Sequence, residues 1–599
     1  MGDIEARARA MGIQSGYEGM DGTRHEVPRQ SLERLVAAFG PGVEMRAQEL
    51  AAPAGVHCHL PGARRTWGVA VQLYQLRSAR NWGIGDLADL ESLAATLAAQ
   101  GADFIGLNPL HAMFLSDPAR CSPFSPSNRR FLNPLYIAVD HVEGFDPSMV
   151  DAEAVARLRE GDLVDYPGVA AAKLHVLRRI WEGLGRPDAS DTFRRLGGAD
   201  LDRHALFDAV SARMAAQGHG AGWRGWPEAW QDPEGPSVTG FVQDHGQDIA
   251  FYRWLQEETD RQLSRVRAAC AAAGMLVGLY LDVAVGEAAD GSASWGRPEV
   301  LPGVSIGAPP DYFNEFGQDW ALAPLSPAAM GATRAAPFAS LMATVMRHAG
   351  AVRIDHAMGL WQLFMIPAGA TPAEGAYARY PLDDMLRALA AASNENGAVV
   401  IGEDLGNVPH GFREMMDAAG ILSYRILFFE REDEGFVPPG DYPVNALACL
   451  STHDLPTFQG WWRCMDVELR ERHGLISPDT ARQQAEARPA ERRELVRALA
   501  DAGLLARHDV PTDSEDAPLD ILVAVHRYLA RTPSRLMAIR LEDLAGEIRP
   551  VNLPSTHDEY PNWRPKLGRT IEEIAQDAVF AAVLAGTRAE RPPAHDRRA

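Results

Sequence analysis

The chain has 599 residues, which exceeds the usual size of a single hydrophobic core, although barrels with insertions reach this length as one unit. Its 80 acidic and 58 basic side chains give a formal net charge of -22, a field that disfavours nucleic acid and anionic membranes as partners. The five cysteines are odd in number and form no CxxC pair, so neither a disulfide framework nor a cysteine zinc site is indicated.

The N-terminal stretch MGDIEARARAMGIQ lacks the basic and then apolar pattern of a secretion signal, and no run of 18 apolar residues is present. No GxxxxGK[ST] phosphate loop occurs either. These features predict a cytoplasmic protein with no membrane or nucleotide partner, as a monomer or a weak homo-oligomer.

Residues 1–60 are expected to form an N-terminal helical appendage. Their one clear amphipathic segment is SLERLVAAFG, with Ser31 as the expected N-cap and Gly40 as the expected C-cap.

Eight short β-rich apolar runs follow the appendage. They are VAVQLYQL (69–76), FIGLNPL (104–110), MLVGLYLDV (275–283), AVRIDH (351–356), AVVIGEDL (398–405), SYRILFF (423–429), ALACLSTHD (446–454) and EIRPVNLP (547–554). Helical patterns such as 86–101 and 382–397 lie between several of them. This alternation predicts the α/β class, and eight strands predict a (β/α)8 TIM barrel over 61–585. The intervals 140–250 and 458–545 are too long for simple crossovers and predict mostly helical inserted subdomains, while 586–599 is expected to be a disordered tail.

Polar residues collect at the C-terminal ends of the predicted strands, the rim where barrel enzymes carry their active sites. They are Asp282, Arg353, Asp355, Glu403, Asp404, His453, Asp454 and Asn552. In RIDH, Arg353 and Asp355 are two positions apart and therefore project from the same face of a strand. An adjacent guanidinium favours the ionised carboxylate, which suits a nucleophile or a charge stabiliser rather than a proton donor.

Glu403 is the candidate for a second acid that stays protonated. It follows the apolar run VVIG and lies 48 positions after Asp355 (403 minus 355), one strand-helix unit further on. An ionised and a protonated carboxyl group about 5 to 5.5 Å apart are what retaining glycoside chemistry requires. Asp454, His356 and His453 are suited to binding sugar hydroxyls, although each histidine fits a packed rim position as well.

Aromatic rings support a sugar site because apolar sugar faces stack on them. The candidates in loop contexts are Phe124, Tyr312, Phe313, Trp320 and Trp361, and each of them also fits a place in the core.

Several longer stretches match a known family. They are NWGIGDLADL (81–90), LNPLHA (107–112), SPFSPSNRRFLNPLYI (122–137), GAPPDYFNEFGQDW (307–320), RIDHAMGL (353–360), IGEDLG (401–406), STHDLPT (451–457) and VNLPSTHDEYPNW (551–563). Through them the sequence resembles the 4-alpha-glucanotransferases called amylomaltase or disproportionating enzyme, of the alpha-amylase clan, from about residue 67 to 567.

The resemblance implies a role for each catalytic acid: Asp355 as nucleophile, Glu403 as acid/base and Asp454 as transition-state stabiliser. It implies a substrate-binding set of Asp282, Arg353, His356, His453, Asp311, Tyr312, Phe313, Trp320, Phe124, Ser122 and Asn552. The donor is an alpha-1,4-glucan, the acceptor is glucose or a maltooligosaccharide, and no metal or organic cofactor is implied. Two positions depart from the family pattern, because Phe124 replaces a tyrosine and Ser555 replaces a glycine.

Three alternatives compete with this interpretation. A hydrolase of the same clan uses identical carboxylates, and the GAPPDYF stretch favours transfer. A non-catalytic glucan-binding barrel lacks at least one of the three acids, all of which are present here. A metal-dependent barrel hydrolase is a different class, in which the ligands are HCH (57–59) together with His356, His453, Asp355 and Asp454.

Overall fold

The structure is a computed structural model that describes residues 2–19, 22–41, 45–46, 48–60, 62, 64–310, 316–432, 435–506 and 512–593. Eight parallel strands close into a barrel in which each strand pairs with the next and the last pairs with the first. We number them β1 (Thr66–Val71), β2 (Phe104–Leu107), β3 (Gly278–Val283), β4 (Ala351–Ile354), β5 (Val399–Gly402), β6 (Ile421–Ile426), β7 (Ala446–Cys449) and β8 (Leu536–Arg540). The predicted (β/α)8 barrel is confirmed.

Seven of the eight predicted strands lie in the barrel, and the eighth prediction is wrong. Residues 547–554 form an irregular loop, and β8 is instead the run LMAIR, which lies inside the predicted insertion 458–545. Pro550 and Pro554 explain the difference because proline has no backbone N–H to donate to a strand ladder.

Helices surround the barrel and fill two long connections. Between β1 and β2 lies Leu87–Ala99, and after β2 come Ala152–Glu160, Tyr166–Gly183, Asp191–Ala216, Glu228–Gln231, Pro236–Asp244 and Gly246–Ala272. The next helices are Pro327–Ala332, Ala336–Met346, Leu382–Asn396 and Phe412–Ala418. Between β7 and β8 lie Phe458–Trp462, Met465–Arg472, Pro478–Asp501 and Leu519–Arg531, and β8 is followed by Leu541–Ala545, Ile571–Ala575 and Ala578–Glu590. Within the described ranges no helix has the length and apolar character needed to cross a bilayer.

A five-stranded antiparallel sheet stands beside the barrel and was not predicted. Its order is Ala376–Arg379, Gln362–Pro367, Val304–Ala308, Gln318–Ala323 and Glu287–Ala288. All five strands come from the connections that follow β3 and β4, so the sheet lies on the rim side of these two strands. Two shorter pairs, His111–Ala112 with Asn128–Leu132 and Arg431–Glu432 with Gly435–Phe436, also belong to strand-end connections.

The N-terminal appendage is not purely helical. Its helices Gly2–Ala10 and Arg29–Phe39 flank a hairpin of Gly16–Glu18 and Arg24–Glu26. The second helix begins three residues earlier than predicted, with Pro28 instead of Ser31 at its N-cap, so Ser31 is a buried residue inside the helix. Gly40 is the C-cap, with a φ of 82°.

The C-terminal helix Ala578–Glu590 runs into the segment 586–599 that was expected to be a tail. The reason is Arg591, which is buried and donates hydrogen bonds to the carbonyl oxygens of Thr66, Ala530 and Thr532. These bonds fix the chain end against the entrance of β1 and β8, and residues 594–599 lie outside the described part.

Large side chains fill the barrel interior, including Phe104, Tyr280 and Leu447. Glycine makes room for one of them, since a Cβ at Gly68 would lie 2.3 Å from the backbone oxygen of Phe104. The interior is therefore a packed core, and the open end for chemistry is the rim where the strands finish.

Candidate active site

Arg353 links the carboxylates of β3 and β4. In the parallel register Arg353 lies opposite Asp282, and its Nη1 donates to both carboxylate oxygens, at 2.8 and 2.9 Å. The same nitrogen lies 3.1 Å from Oδ1 of Asp355, the first residue after β4. The expectation that Arg353 and Asp355 share a face therefore agrees with the geometry.

The charges of this cluster balance each other in a buried place. Burial alone lowers the pKa of Arg353, but the carboxylates of Asp282, Asp355 and Glu403 raise it well above its ordinary value. Burial raises the pKa of Asp282 to about 6, against the opposing effect of Arg353. Arg353 thus stays charged and serves as the common counter-ion.

Glu403 is the first residue after β5, next to Asp355. Ile354 pairs with Gly402 across the two strands, so the two acids occupy corresponding positions one step further along. Oε2 of Glu403 accepts a hydrogen bond from the amide of His356 at 2.8 Å, and Oε1 accepts one from the amide of Leu405 at 2.9 Å. Burial raises the pKa of Glu403 to about 7, opposed by Arg353 and increased further by the negative charge of Asp355. The carboxyl group can therefore hold a proton near neutral pH.

Asp355 is open enough for a ligand to reach it. Its side chain is 18% exposed, while its backbone amide donates to the carbonyl oxygen of Val283. Its second carboxylate oxygen, Oδ2, accepts a hydrogen bond from the amide of Val285 at 3.3 Å. The carboxylate is held on one oxygen by a guanidinium and on the other by a backbone N–H.

Asp454 and His453 follow β7 on the same rim. Nε2 of His453 lies 3.1 Å from Oδ2 of Asp454, and Nδ2 of Asn552 donates to Oδ1 at 2.7 Å. Burial lowers the pKa of His453, but the charge of Asp454 outweighs it and leaves that pKa above its ordinary value. Burial acts to raise the pKa of Asp454, yet the His453 charge and the Asn552 hydrogen bond hold it well below its usual range. Asp454 is thus kept ionised, and its side chain is 44% exposed to the cleft.

Three rings form a cluster at the edge of this loop. The Phe124 ring lies 4.8 Å from that of His453 and 5.3 Å from that of Trp563, measured between centroids. Phe124 thus contributes a ring and no hydroxyl to this loop. Ser122 is in the same turn, where its carbonyl oxygen accepts from the amide of Ser125.

His356 and Trp320 meet on the other side of Asp355. His356 has a φ of 48°, in the left-handed region, and its ring packs edge-on against Trp320 with centroids 5.3 Å apart. Burial lowers the pKa of His356 to about 4, so its ring is neutral at physiological pH. Trp320 lies on the strand Gln318–Ala323 of the five-stranded sheet.

Other candidates lie apart from this cluster. Asp311, Tyr312 and Phe313 lie outside the described residues. Asp404 is fully buried and forms an ion pair with Arg413 at 2.7 Å, so it fixes the loop after β5. Trp361 is buried beneath the guanidinium of Arg379 at 3.9 Å, and it belongs to the core.

Residues that the sequence reasoning missed also contribute. The Val285 amide acts through the backbone, which leaves no side-chain signal. Trp563 ends the stretch VNLPSTHDEYPNW, and its place in the same stretch as the rim residue Asn552 is the sequence signal for it. Tyr424 on β6 places its ring 5.7 Å from the Arg353 guanidinium.

The HCH stretch lies at the opposite end of the barrel. The Cys58 amide donates to the carbonyl oxygen of Ala419, and the His57 ring packs on Gly420, both immediately before β6 begins. His356 and His453 follow the far ends of their strands, so these histidines cannot share one metal ion. Among the described residues no cluster of three metal-ligating side chains was found.

Ser555 keeps the backbone that a glycine favours. Its φ is 68°, in the left-handed region that glycine adopts more readily than serine.

The comparisons with known proteins agree with this geometry. A family model described as 4-alpha-glucanotransferase matches residues 71–570. A 4-alpha-glucanotransferase of Mycobacterium tuberculosis (strain ATCC 25618 / H37Rv) is 40% identical over 557 residues, covering 88% of this chain and 75% of the relative. One of Haemophilus influenzae is 36% identical over 535 residues, covering 85% and 76%.

Solved structures give the same fold. The amylomaltase of Corynebacterium glutamicum superimposes with a TM-score of 0.84 at 28% identity, covering 98% of this chain and 99% of the other. An amylomaltase of Streptococcus agalactiae in complex with acarbose has a TM-score of 0.70 at 18% identity, covering 88% and 99%, and supports the fold alone.

Proposed function

Because the chain belongs to the 4-alpha-glucanotransferase family, we propose that it moves segments of alpha-1,4-glucan to the 4-hydroxyl of glucose or a maltooligosaccharide through Asp355, Glu403 and Asp454. Asp355 is the nucleophile, and Glu403 acts first as the acid and then as the base. Asp454 is the carboxylate that stabilises the transition state.

In the first step Asp355 attacks the anomeric carbon while Glu403 gives its proton to the glycosidic oxygen. The bond from the anomeric carbon to that oxygen breaks, the reducing-end fragment leaves as an alcohol, and a β-linked glycosyl ester remains on Asp355. Arg353 lies beside Asp355 and Asp282, where it offsets the negative charge of this group of acids before the attack.

In the second step Glu403, now ionised, accepts the proton of the acceptor 4-hydroxyl as the acceptor oxygen attacks the anomeric carbon. The ester bond breaks, Asp355 leaves as a carboxylate, and the second inversion restores the α linkage. Asp454 is ionised and accessible throughout, so it can accept hydrogen bonds from ring hydroxyls and stabilise positive charge on the sugar.

The observation that carries this proposal is the difference between two neighbouring carboxyl groups. Asp355 is held by a guanidinium and an amide, whereas burial keeps the pKa of Glu403 near 7. A nucleophile and a proton donor in one site require two acids whose different environments separate their pKa values.

A pH profile tests the assignment of Glu403. The first step needs the protonated acid, so kcat/KM for maltotriose should fall as pH rises through about 7, the pKa to which burial raises Glu403. Initial rates measured from about pH 5 to about pH 9 give the pH at which kcat/KM begins to fall. A fall that begins near the ordinary glutamate value contradicts the assignment.

Incubation with maltotriose followed by product sizing tests the reaction itself. Transfer yields glucose together with a ladder of longer maltodextrins, because each glycosyl ester is taken by a sugar acceptor. Glucose and maltose alone would indicate hydrolysis, and the transfer assignment would then be abandoned.

A further inference from the structure

Arg129 reaches the active site from a loop that the mechanism above does not use. It lies on the strand Asn128–Leu132, in the connection after β2, and its side chain is 11% exposed. Its Nη1 donates to the carbonyl oxygens of Ala284 and Val285, at 2.8 and 2.9 Å. These two carbonyls belong to the turn that leaves β3, next to the nucleophile.

One peptide group connects Arg129 with Asp355. The carbonyl of Ala284 and the amide of Val285 are the two ends of the same planar peptide unit. The carbonyl end accepts from the guanidinium, and the amide end donates to Oδ2 of Asp355. Hydrogen bonds in such a chain polarise one another, so a positive charge at the oxygen makes the N–H a stronger donor to the carboxylate.

The turn is fixed by two further contacts. Oε1 of Glu287 accepts from the Arg129 amide at 3.2 Å and lies 3.3 Å from its Nε, which orients the guanidinium. The Ala284 amide donates to Nε2 of His111 at 3.3 Å. Burial holds the pKa of His111 far below its ordinary value, at about 3, so the ring is neutral and its Nε2 can accept.

We propose that Arg129 is a positioning residue for the nucleophile, acting through the Ala284–Val285 peptide to orient and stabilise the Asp355 carboxylate. The inference rests on the proposed role of Asp355. Arg129 itself need not touch the sugar, so its contribution belongs to the chemical step and not to glucan binding.

The main test replaces Arg129 with methionine, which keeps the unbranched apolar stem of the side chain and removes every donor. We expect kcat for maltotriose to fall about tenfold to a hundredfold while KM changes by less than about threefold, the pattern of a misplaced catalytic group. Arg129→Lys retains the charge and a donor and should recover part of the loss. If the methionine variant does not fold, Arg129→Gln has the same expected loss, because its shorter neutral side chain cannot serve both carbonyls.

The neighbouring arginine supplies a matched control. Arg130 is on the same strand, but it pairs with Asp200 of the helical insertion and not with the turn after β3. Arg130→Met removes a guanidinium that is also largely buried, with the side chain 21% exposed, and should leave kcat within about twofold of the wild type. Thermal unfolding of both variants shows whether each is folded at the assay temperature.

Chemical rescue separates positioning from a structural role. A cavity of about 60 Å³ is lined by Arg129 together with Asp355, so Arg129→Ala leaves room for a free guanidinium ion. Low concentrations of guanidinium chloride should raise the kcat of this variant at least about tenfold and should leave the kcat of Arg130→Ala unchanged.

Two results would overturn the inference: wild-type kcat in folded Arg129→Met, or a loss that appears in KM alone. Asp355→Asn, assayed in parallel, distinguishes the two levels of failure. If Asp355→Asn keeps its turnover, the proposed mechanism itself is wrong. If Asp355→Asn is inactive and Arg129→Met is normal, only the role of Arg129 is refuted.

Discussion

Replacing Asp355 with asparagine should lower kcat for maltotriose by at least about 10⁴-fold, because the amide cannot form the glycosyl ester on which both steps depend. The contacts of Asp355 explain why the loss should be chemical. The Val285 amide can still donate to the side-chain oxygen of asparagine, so the turn after β3 stays in place. Product sizing after long incubation, with circular dichroism to check the fold, gives the measurement.

The control for this variant is Asp404→Asn. Asp404 is fully buried beside the same rim, where it pairs with Arg413 and accepts from the Tyr424 amide. We expect a loss of stability, with kcat within about tenfold of the wild type, because weakening the contacts of a buried carboxylate destabilises the fold without removing a reacting group. Near-normal turnover in Asp355→Asn would remove Asp355 from the role of nucleophile.

Replacing Glu403 with glutamine should lower kcat for maltotriose by about 10²- to 10⁴-fold, the usual range for loss of a general acid and base. Glutamine keeps the shape of the side chain and can still accept from the His356 amide. With a maltosyl fluoride donor, the rate of the first step should fall much less than it does with maltotriose, because fluoride leaves without needing a proton.

The comparison of the two donors is the decisive part of that experiment. A glutamine variant that is equally impaired with maltotriose and with the fluoride would show that Glu403 does not protonate the leaving group. The Asp404→Asn variant, one residue away, should show the same donor ratio as the wild type.

Much of the barrel could be predicted because its strands are apolar runs that end in polar residues. The sequence does not predict the last strand, β8, and the reason is physical. LMAIR has only five residues, and it is preceded by a long charged helical region, so it resembles part of that insertion. EIRPVNLP looked like a strand by composition, but its two prolines remove the donors that a ladder requires.

The rim acids could be placed from the sequence because parallel strands bring their C-terminal ends together. Arg353, Asp355 and Glu403 each belong to a strand or directly follow one, so a register fixes them. The Val285 amide acts through the backbone and leaves no side-chain signal, and the ring of Trp563 is positioned by a loop from a distant part of the chain, which no periodic pattern encodes. The sequence does not predict the five-stranded sheet because its strands are short and lie within the connections after β3 and β4.

That sheet connects Asp355, the proposed nucleophile, with another part of the rim. The chain passes from Asp355 through the turn Ala357–Leu360 into the strand Gln362–Pro367, which pairs directly with Val304–Ala308. Val304–Ala308 and its other partner, Gln318–Ala323, are the two anchors of the segment 309–317. The two strands that flank this segment are therefore joined to Asp355, the proposed nucleophile, by one short ladder of backbone hydrogen bonds, so a substitution that shifts either strand also shifts the support of that carboxylate.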